Sequence, residues 1–192
     1  MDPLALFKSE RILAREAQDP MANLCTVGSN GAGNGTEAPE MRTLVLRDVG
    51  EDLAIFINAT SPKWPELQNT ASVLTYWPST QIQYRLLAHT LPVASQLVAE
   101  SWLLRPDAPK KMDWFYTTKM PQSAKAGTRQ ALLEQVNALS PPEPLVAPDT
   151  AQGLVLKPFR IERLDLTQDN GIHDRTLYVH SEGAWTVETL VP

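Results

Sequence analysis

Residues 81–88, QIQYRLLA, alternate in a way only an extended chain can use. Ile82, Tyr84, Leu86 and Ala88 fall on one face, and Gln81, Gln83 and Arg85 on the other. A strand of this kind cannot stand alone, because its apolar face must be covered and its backbone groups paired. Further strand-like segments surround it, at 23–28, 41–49, 53–58, 72–77, 153–166, 176–180 and 184–191, several of them at close spacing. Short strands joined by turns point to a closed or partly closed antiparallel sheet. The tail strands need the earlier sheet for company, so no domain boundary is expected. The chain reads as a single domain over 1–192, with an N-terminal helix in 1–20, a proline-rich connector at 140–152 and closing strands at 153–192.

Apolar periodicity predicts helices over 3–17, 92–104 and 127–139. SPKWPELQN (61–69) suits a short helix with Ser61 as N-cap and Pro62 in its first position. The Gly- and Asn-rich stretch SNGAGNGTEAPE (29–40) reads as a hairpin loop. It lacks both the Gly-Lys-Ser/Thr ending of a Walker loop and the GxGxxG of a dinucleotide fingerprint.

A net charge of −5 argues against a dedicated nucleic-acid binder. The N-terminal residues lack the basic region and unbroken apolar core of a secretory signal, and no run reaches the roughly 18 apolar residues of a membrane span. A soluble, cytoplasmic protein is expected. The lone Cys25 is expected to be a small buried side chain. No His, Cys and carboxylate spacing suggests a metal site, and GxSxG is absent. His89 and His180 read as strand-end residues.

Several polar groups remain ambiguous between solvated side chains and a ligand site. Gln81, Gln83 and Arg85 form one file. In RTLVLR (42–47), Arg42 shares a face with Leu44 and Leu46, while Thr43, Val45 and Arg47 share the other. Ser61 and Lys63 bring a hydroxyl and an amine to a helix start, where anions are favoured. In GIHDR (171–175), His173 and Arg175 share a strand face, with Asp174 directed away.

These segments, taken together and in order, resemble the pyridoxamine 5′-phosphate oxidase family of FMN-binding split barrels over about residues 21–192. The resemblance rests on RTLVLR (42–47), LAIFINATSPK (53–63), SVLTYWPSTQIQYR (72–85), MPQS (120–123), and the tail with LKPFRIE (156–162), HDRTLYV (173–179) and AWTVETLVP (184–192). It implies a mainly β (α+β) antiparallel split β-barrel with flanking helices, assembled as a homodimer with FMN at the subunit interface. On that resemblance, Arg42, Ser61 and Lys63 hold the FMN phosphate. The backbone of Arg42, Thr43, Leu44, Val45, Leu46 and Arg47, with Phe56 and Ile57, lines the ribityl chain and ring, and Gln83 touches the ring's polar edge. Gln122 and Ser123 reach the cofactor from the other subunit, and Arg175 approaches it from the tail. Arg47, Arg105 and His173 address a substrate, with His173 the one candidate catalytic side chain.

The chain also departs from the family pattern. Arg47 stands for a lysine and Pro62 for a basic residue. Ser101 stands for a tyrosine, Gly171 for an arginine and Leu164 for a tryptophan, while Pro109 falls near a family serine. The flavin side is mostly kept and the pyridoxine-phosphate side mostly lost. The expectation is an FMN-dependent oxidoreductase with a remodelled substrate pocket. The alternatives are a genuine pyridoxamine 5′-phosphate oxidase or a flavin-binding module without turnover.

Overall fold

The computed structural model describes residues 2–29 and 39–192, so most of the glycine-rich stretch read as a hairpin loop lies outside the described residues. Helix α1 (Pro3–Glu16) begins where Asp2 caps it, its carboxylate accepting from the Leu4 N–H at 2.9 Å with Pro3 in the first turn. The strands are β1 (Leu24–Ser29), β2 (Glu40–Val49), β3 (Asp52–Asn58), β4 (Thr70–Trp77), β5 (Ile82–Pro92), β6 (Ala151–Asp165), β7 (Asp174–Ser181) and β8 (Ala184–Thr189). The other helices are α2 (Lys63–Glu66), α3 (Ser95–Leu103), α4 (Asp107–Thr118) and α5 (Arg129–Asn137).

All strand pairings are antiparallel, in the order β3-β2-β1-β4-β5-β6-β7-β8, and β3 also pairs with β6. That last pairing closes a six-stranded barrel from which β7 and β8 continue as a flap. Strand β6 makes closure possible by its length. Leu154 to Leu156 bond β3 on one side and β5 on the other, and Arg160 to Asp165 bond β5 and β7. The β5–β6 register slips between Leu87 and Ala88, opposite Pro158 and Phe159, where proline has no N–H to give.

The alternation in β5 is realised: Ile82, Tyr84, Leu86 and Ala88 are buried, while Arg85 and His89 face out. Inward side chains from all six strands fill the barrel, among them Cys25, Val27, Leu46, Leu53, Ile55, Val73, Leu154 and Ile161. Burial pushes the Cys25 thiol up to about 12, which keeps it a protonated packing group. Helix α1 closes one end. Phe7 packs edge-on to Tyr84 at 5.0 Å and tilted to Trp77 at 5.4 Å. The buried Arg11 donates to the carbonyls of Ala22 and Leu46 and pairs with Asp48. Glu10 accepts from Tyr84 Oη and from Arg163.

Three expectations need correction, and one helix was not expected. The segment expected as a helix from 92 begins as strand, because β5 runs to Pro92 and α3 starts only at Ser95. Ser61 is not a cap: α2 is a single turn led by Pro62, and the Ser61 hydroxyl turns to Lys63 instead. His173 lies just before β7, exposed, so it does not share a strand face with Arg175. Helix α4 had no clear apolar period, since Pro109, Lys110 and Lys111 interrupt its first turns. Among the described residues no helix is long and apolar enough to cross a membrane.

Phe7→Ala should cost about 3–5 kcal/mol of stability by opening a cavity between α1 and the barrel. Chemical denaturation checks this, and a loss under about 1 kcal/mol would contradict the sealing role of α1.

Candidate functional site

Strand β3 is buried on both faces, which explains its nearly unbroken apolar sequence. Its outer face meets Val93 and Val98, so α3 and α4 stand over the β2–β3 wall. Between wall and helices lies a cavity of about 560 Å³. The wall contributes Thr43, Leu44, Val45, Arg47, Phe56, Ile57 and Asn58; the helices contribute Val98, Ser101, Trp102, Arg105, Pro109, Met112, Asp113 and Tyr116. Phe56 can lie flat over β6 because Gly153 is opposite it. A Cβ there would stand 3.0 Å from the ring and 2.9 Å from Val93 Cγ2.

One end of the cavity is cationic. Lys63 is buried, and its Nζ donates to Ser61 Oγ at 2.9 Å and to Gln122 Oε1 at 3.1 Å. Both acceptors are neutral, and no carboxylate forms an ion pair with this amine among the described residues. Burial lowers its pKa from the ordinary 10.5, the neighbouring charge of Arg42 lowers it further, and Asp113 and Glu66 pull the other way. Arg42 stands behind it, paired to Glu66 at 3.0 Å.

The other end is neutralised from within. Asp113, 3% exposed, accepts from Trp102 Nε1 at 2.8 Å and from Asn58 Nδ2 at 3.4 Å, and pairs with Arg105. Asn58 in turn reaches Thr150 and accepts from Thr60, tying the end of β3 to α4 and the connector. Tyr116 has its phenol pushed up by burial and by Asp113.

The expected site residues therefore divide. Thr43, Leu44, Val45, Arg47, Phe56, Ile57, Lys63, Arg105 and Gln122 meet at the cavity, with Ser61 and Arg42 one step behind Lys63. Leu46 turns its side chain into the barrel core. Gln122 reaches Lys63 of its own chain, where the resemblance places it across a subunit boundary; Ser123 follows it, exposed and left-handed at φ 72°. Gln83 and Arg175 lie elsewhere. Gln83 faces out from β5, between Tyr76 and Leu164 in register. Arg175 is fixed by the buried Glu162 at 2.9–3.0 Å. In the closed ring β2 and β5 are three strands apart by either route, so Gln83 is on the wall opposite β2, and Arg175 continues that wall on the flap, across Leu164 from Gln83. Asp174 faces away from that group, 3.8 Å from Arg163.

Sequence reasoning missed Asp113, Trp102, Asn58, Met112 and Tyr116. The available signal was Asp113 itself, a lone carboxylate between Met112 and the aromatic run WFY (114–116). Among the described residues no cluster of His, Cys, Asp and Glu could hold a metal ion.

No family model matches this chain. It is similar to pyridoxine/pyridoxamine 5′-phosphate oxidases of Acinetobacter baumannii (29% identity over 188 residues, 94% of this chain and 82% of the relative) and of Shewanella amazonensis (28% over 200 residues, 100% and 89%). Its fold matches PhzG from Burkholderia lata in complex with tetrahydrophenazine-1-carboxylic acid (TM-score 0.83, 20% identity, 100% of this chain and 93% of that chain). It also matches a pyridoxamine 5′-phosphate oxidase-related, FMN-binding protein of Nostoc punctiforme (TM-score 0.77, 18% identity, 100% and 98%). The closed barrel with its β7–β8 flap therefore has the fold of these two solved structures, and in sequence the chain is similar, over nearly its whole length, to the pyridoxine/pyridoxamine 5′-phosphate oxidases.

Proposed function

We propose that the chain binds FMN in this cavity and acts as an FMN-dependent oxidoreductase with a remodelled substrate pocket. The observation that carries the reading is Lys63: a buried ammonium bonded only to neutral oxygens is incompletely compensated, and a phosphate dianion completes it. Ser61, Gln122 and Arg42 would assist at the phosphate. Val45, Phe56 and Ile57 offer the apolar slot an isoalloxazine needs, and the β2 backbone offers hydrogen bonds along its edge. Bound flavin would supply hydride transfer; the chain's own residues bind, orient and exclude water.

The reading includes a homodimer. Gln83 lies on the wall opposite β2 and Arg175 on the flap that continues it, so they would serve the same ligand if a second copy brings that surface over the cavity. Outward residues of β2 and β4 support such pairing: Met41, Val45, Leu74 and Tyr76 are exposed apolar side chains along the sheet face. His173, exposed ahead of β7, would enter the shared site from the flap.

FMN should quench on titration, with riboflavin binding more weakly. Lys63→Gln should cost FMN about 1.5–3 kcal/mol and leave riboflavin unchanged. FMN affinity should fall at acid pH as the phosphate regains a proton near about 6. It should fall again as pH rises through the lowered Lys63 value, and this alkaline limb should vanish in Lys63→Gln. In the unliganded protein the sign reverses. The folded chain releases this proton before the unfolded chain does, so stability rises with pH between the lowered and ordinary values. Equal binding of FMN by wild type and variant would overturn the reading.

Light scattering should give the mass of two chains, and Leu74→Glu should shift it toward one and weaken FMN binding together. A wild-type mass of one chain would remove the shared site.

A further inference from the structure

The relatives named above act on phosphorylated pyridoxine and pyridoxamine, so the state of Arg105 bears on what this cavity admits. Arg105 is already occupied. Its guanidinium pairs with Asp113 Oδ2, the same oxygen that takes the Trp102 indole N–H at 2.8 Å, while Oδ1 takes Asn58 Nδ2. Donors from β3, α3 and the α3–α4 turn thus hold one carboxylate in place, and at 3% exposure it has no solvated position to swing into. A second anion brought to Arg105 would sit beside a fixed negative charge that has no water around it.

Among the side chains that line this end none replaces that cation; Lys110, 5.8 Å over the Trp102 ring, is not among them and pairs with Asp107. Ser101 offers one hydroxyl, Pro109 no donor, and Ala108 and Met112 none. On the strand side Arg47 faces the cavity with no ion pair among the described residues. A single unengaged guanidinium suits one carboxylate or a polarised ring oxygen, not a dianion that needs several charged donors.

Resting on the flavin reading above, we propose that Asp113 is a specificity-determining residue: by occupying Arg105 it closes the helix-lined end to phosphate monoesters. The cavity then takes an unphosphorylated, ring-sized substrate bearing at most one anionic group, read by Arg47. Asp113 acts through Arg105 and is a positioning residue.

The test is calorimetric titration of pyridoxine 5′-phosphate and of pyridoxine into the full chain saturated with FMN, for wild type, Asp113→Asn and Asp113→Asn/Arg105→Gln. In wild type the phosphate should add less than about threefold affinity. Asp113→Asn should bind the phosphorylated ligand at least about tenfold more tightly with pyridoxine unchanged, and the double variant should lose that gain. A merely structural role for Asp113 would move both ligands together. Asp113→Ser, uncharged and still an acceptor for Trp102, serves if the asparagine variant does not fold. A wild type that prefers the phosphorylated ligand by about a hundredfold would overturn the proposal. So would a folded Asp113 variant without phosphate-dependent gain, whatever the wild type binds. Flavin fluorescence is followed in parallel. If no FMN is taken up, the flavin reading fails, while the single and double variants still report on Asp113 in unloaded protein, because Lys63 is common to both.

Discussion

Closure of the ring by β6 is the constraint on which the rest depends. Fifteen residues bond β3, β5 and β7 in one continuous strand, and this fixes β2 and β5 on opposite walls. Everything placed on β2 and β3 then faces α3 and α4, and everything on β5 and β7 faces the other way. The two halves of the proposed flavin site are separated by the barrel's own diameter. On the reading proposed above, a composite site would be assembled by symmetry rather than by folding of one chain. Helix α1 stabilises the ring from one end, where Phe7 fills the aromatic mouth and Arg11 satisfies carbonyls that would otherwise be buried without a donor.

The cavity treats its buried charges in two opposite ways. Asp113 is matched by Arg105 and by two neutral donors, so little electrostatic demand remains at that end. Lys63 is matched only by a hydroxyl and an amide oxygen, with Arg42 close enough to depress its pKa. A buried cation that Asp113 and Glu66 compensate only in part is costly, and on the proposal above an anionic ligand would relieve that cost. On the proposals above, the asymmetry distinguishes an end that takes an anion from an end that excludes one.

Much of this was legible in the sequence because it lies in local periodicity. The alternation of β5, the two-faced β2 and the apolar β3 all follow from single segments, and the resemblance supplied the order that joins them. What was not legible depends on contacts far apart in the chain. Asn58 meets Asp113 across 55 residues, and nothing near either of them announces it. Helix α4 escaped because lysines and a proline interrupt its stripe, although Met112 and Tyr116 stand one turn apart toward the cavity. Ser61 carried a cap signal, but a buried lysine two residues on competes for its hydroxyl and wins. His173 and Arg175 carried a strand spacing, but the left-handed Gly171 ends the turn only just before Asp174, too late for His173 to join the ladder.

If one flavin site is built from opposite walls of two copies, subunit complementation will reveal it. Lys63→Gln and Arg175→Gln chains, each weak for FMN alone, would be mixed, unfolded and refolded together, and titrated with FMN. If the walls meet across the dimer, each mixed dimer regains one intact site, and about one site in four overall should bind FMN with wild-type affinity. No recovery on mixing would place Lys63 and Arg175 in the same half of the dimer, or in different sites, and would contradict the account.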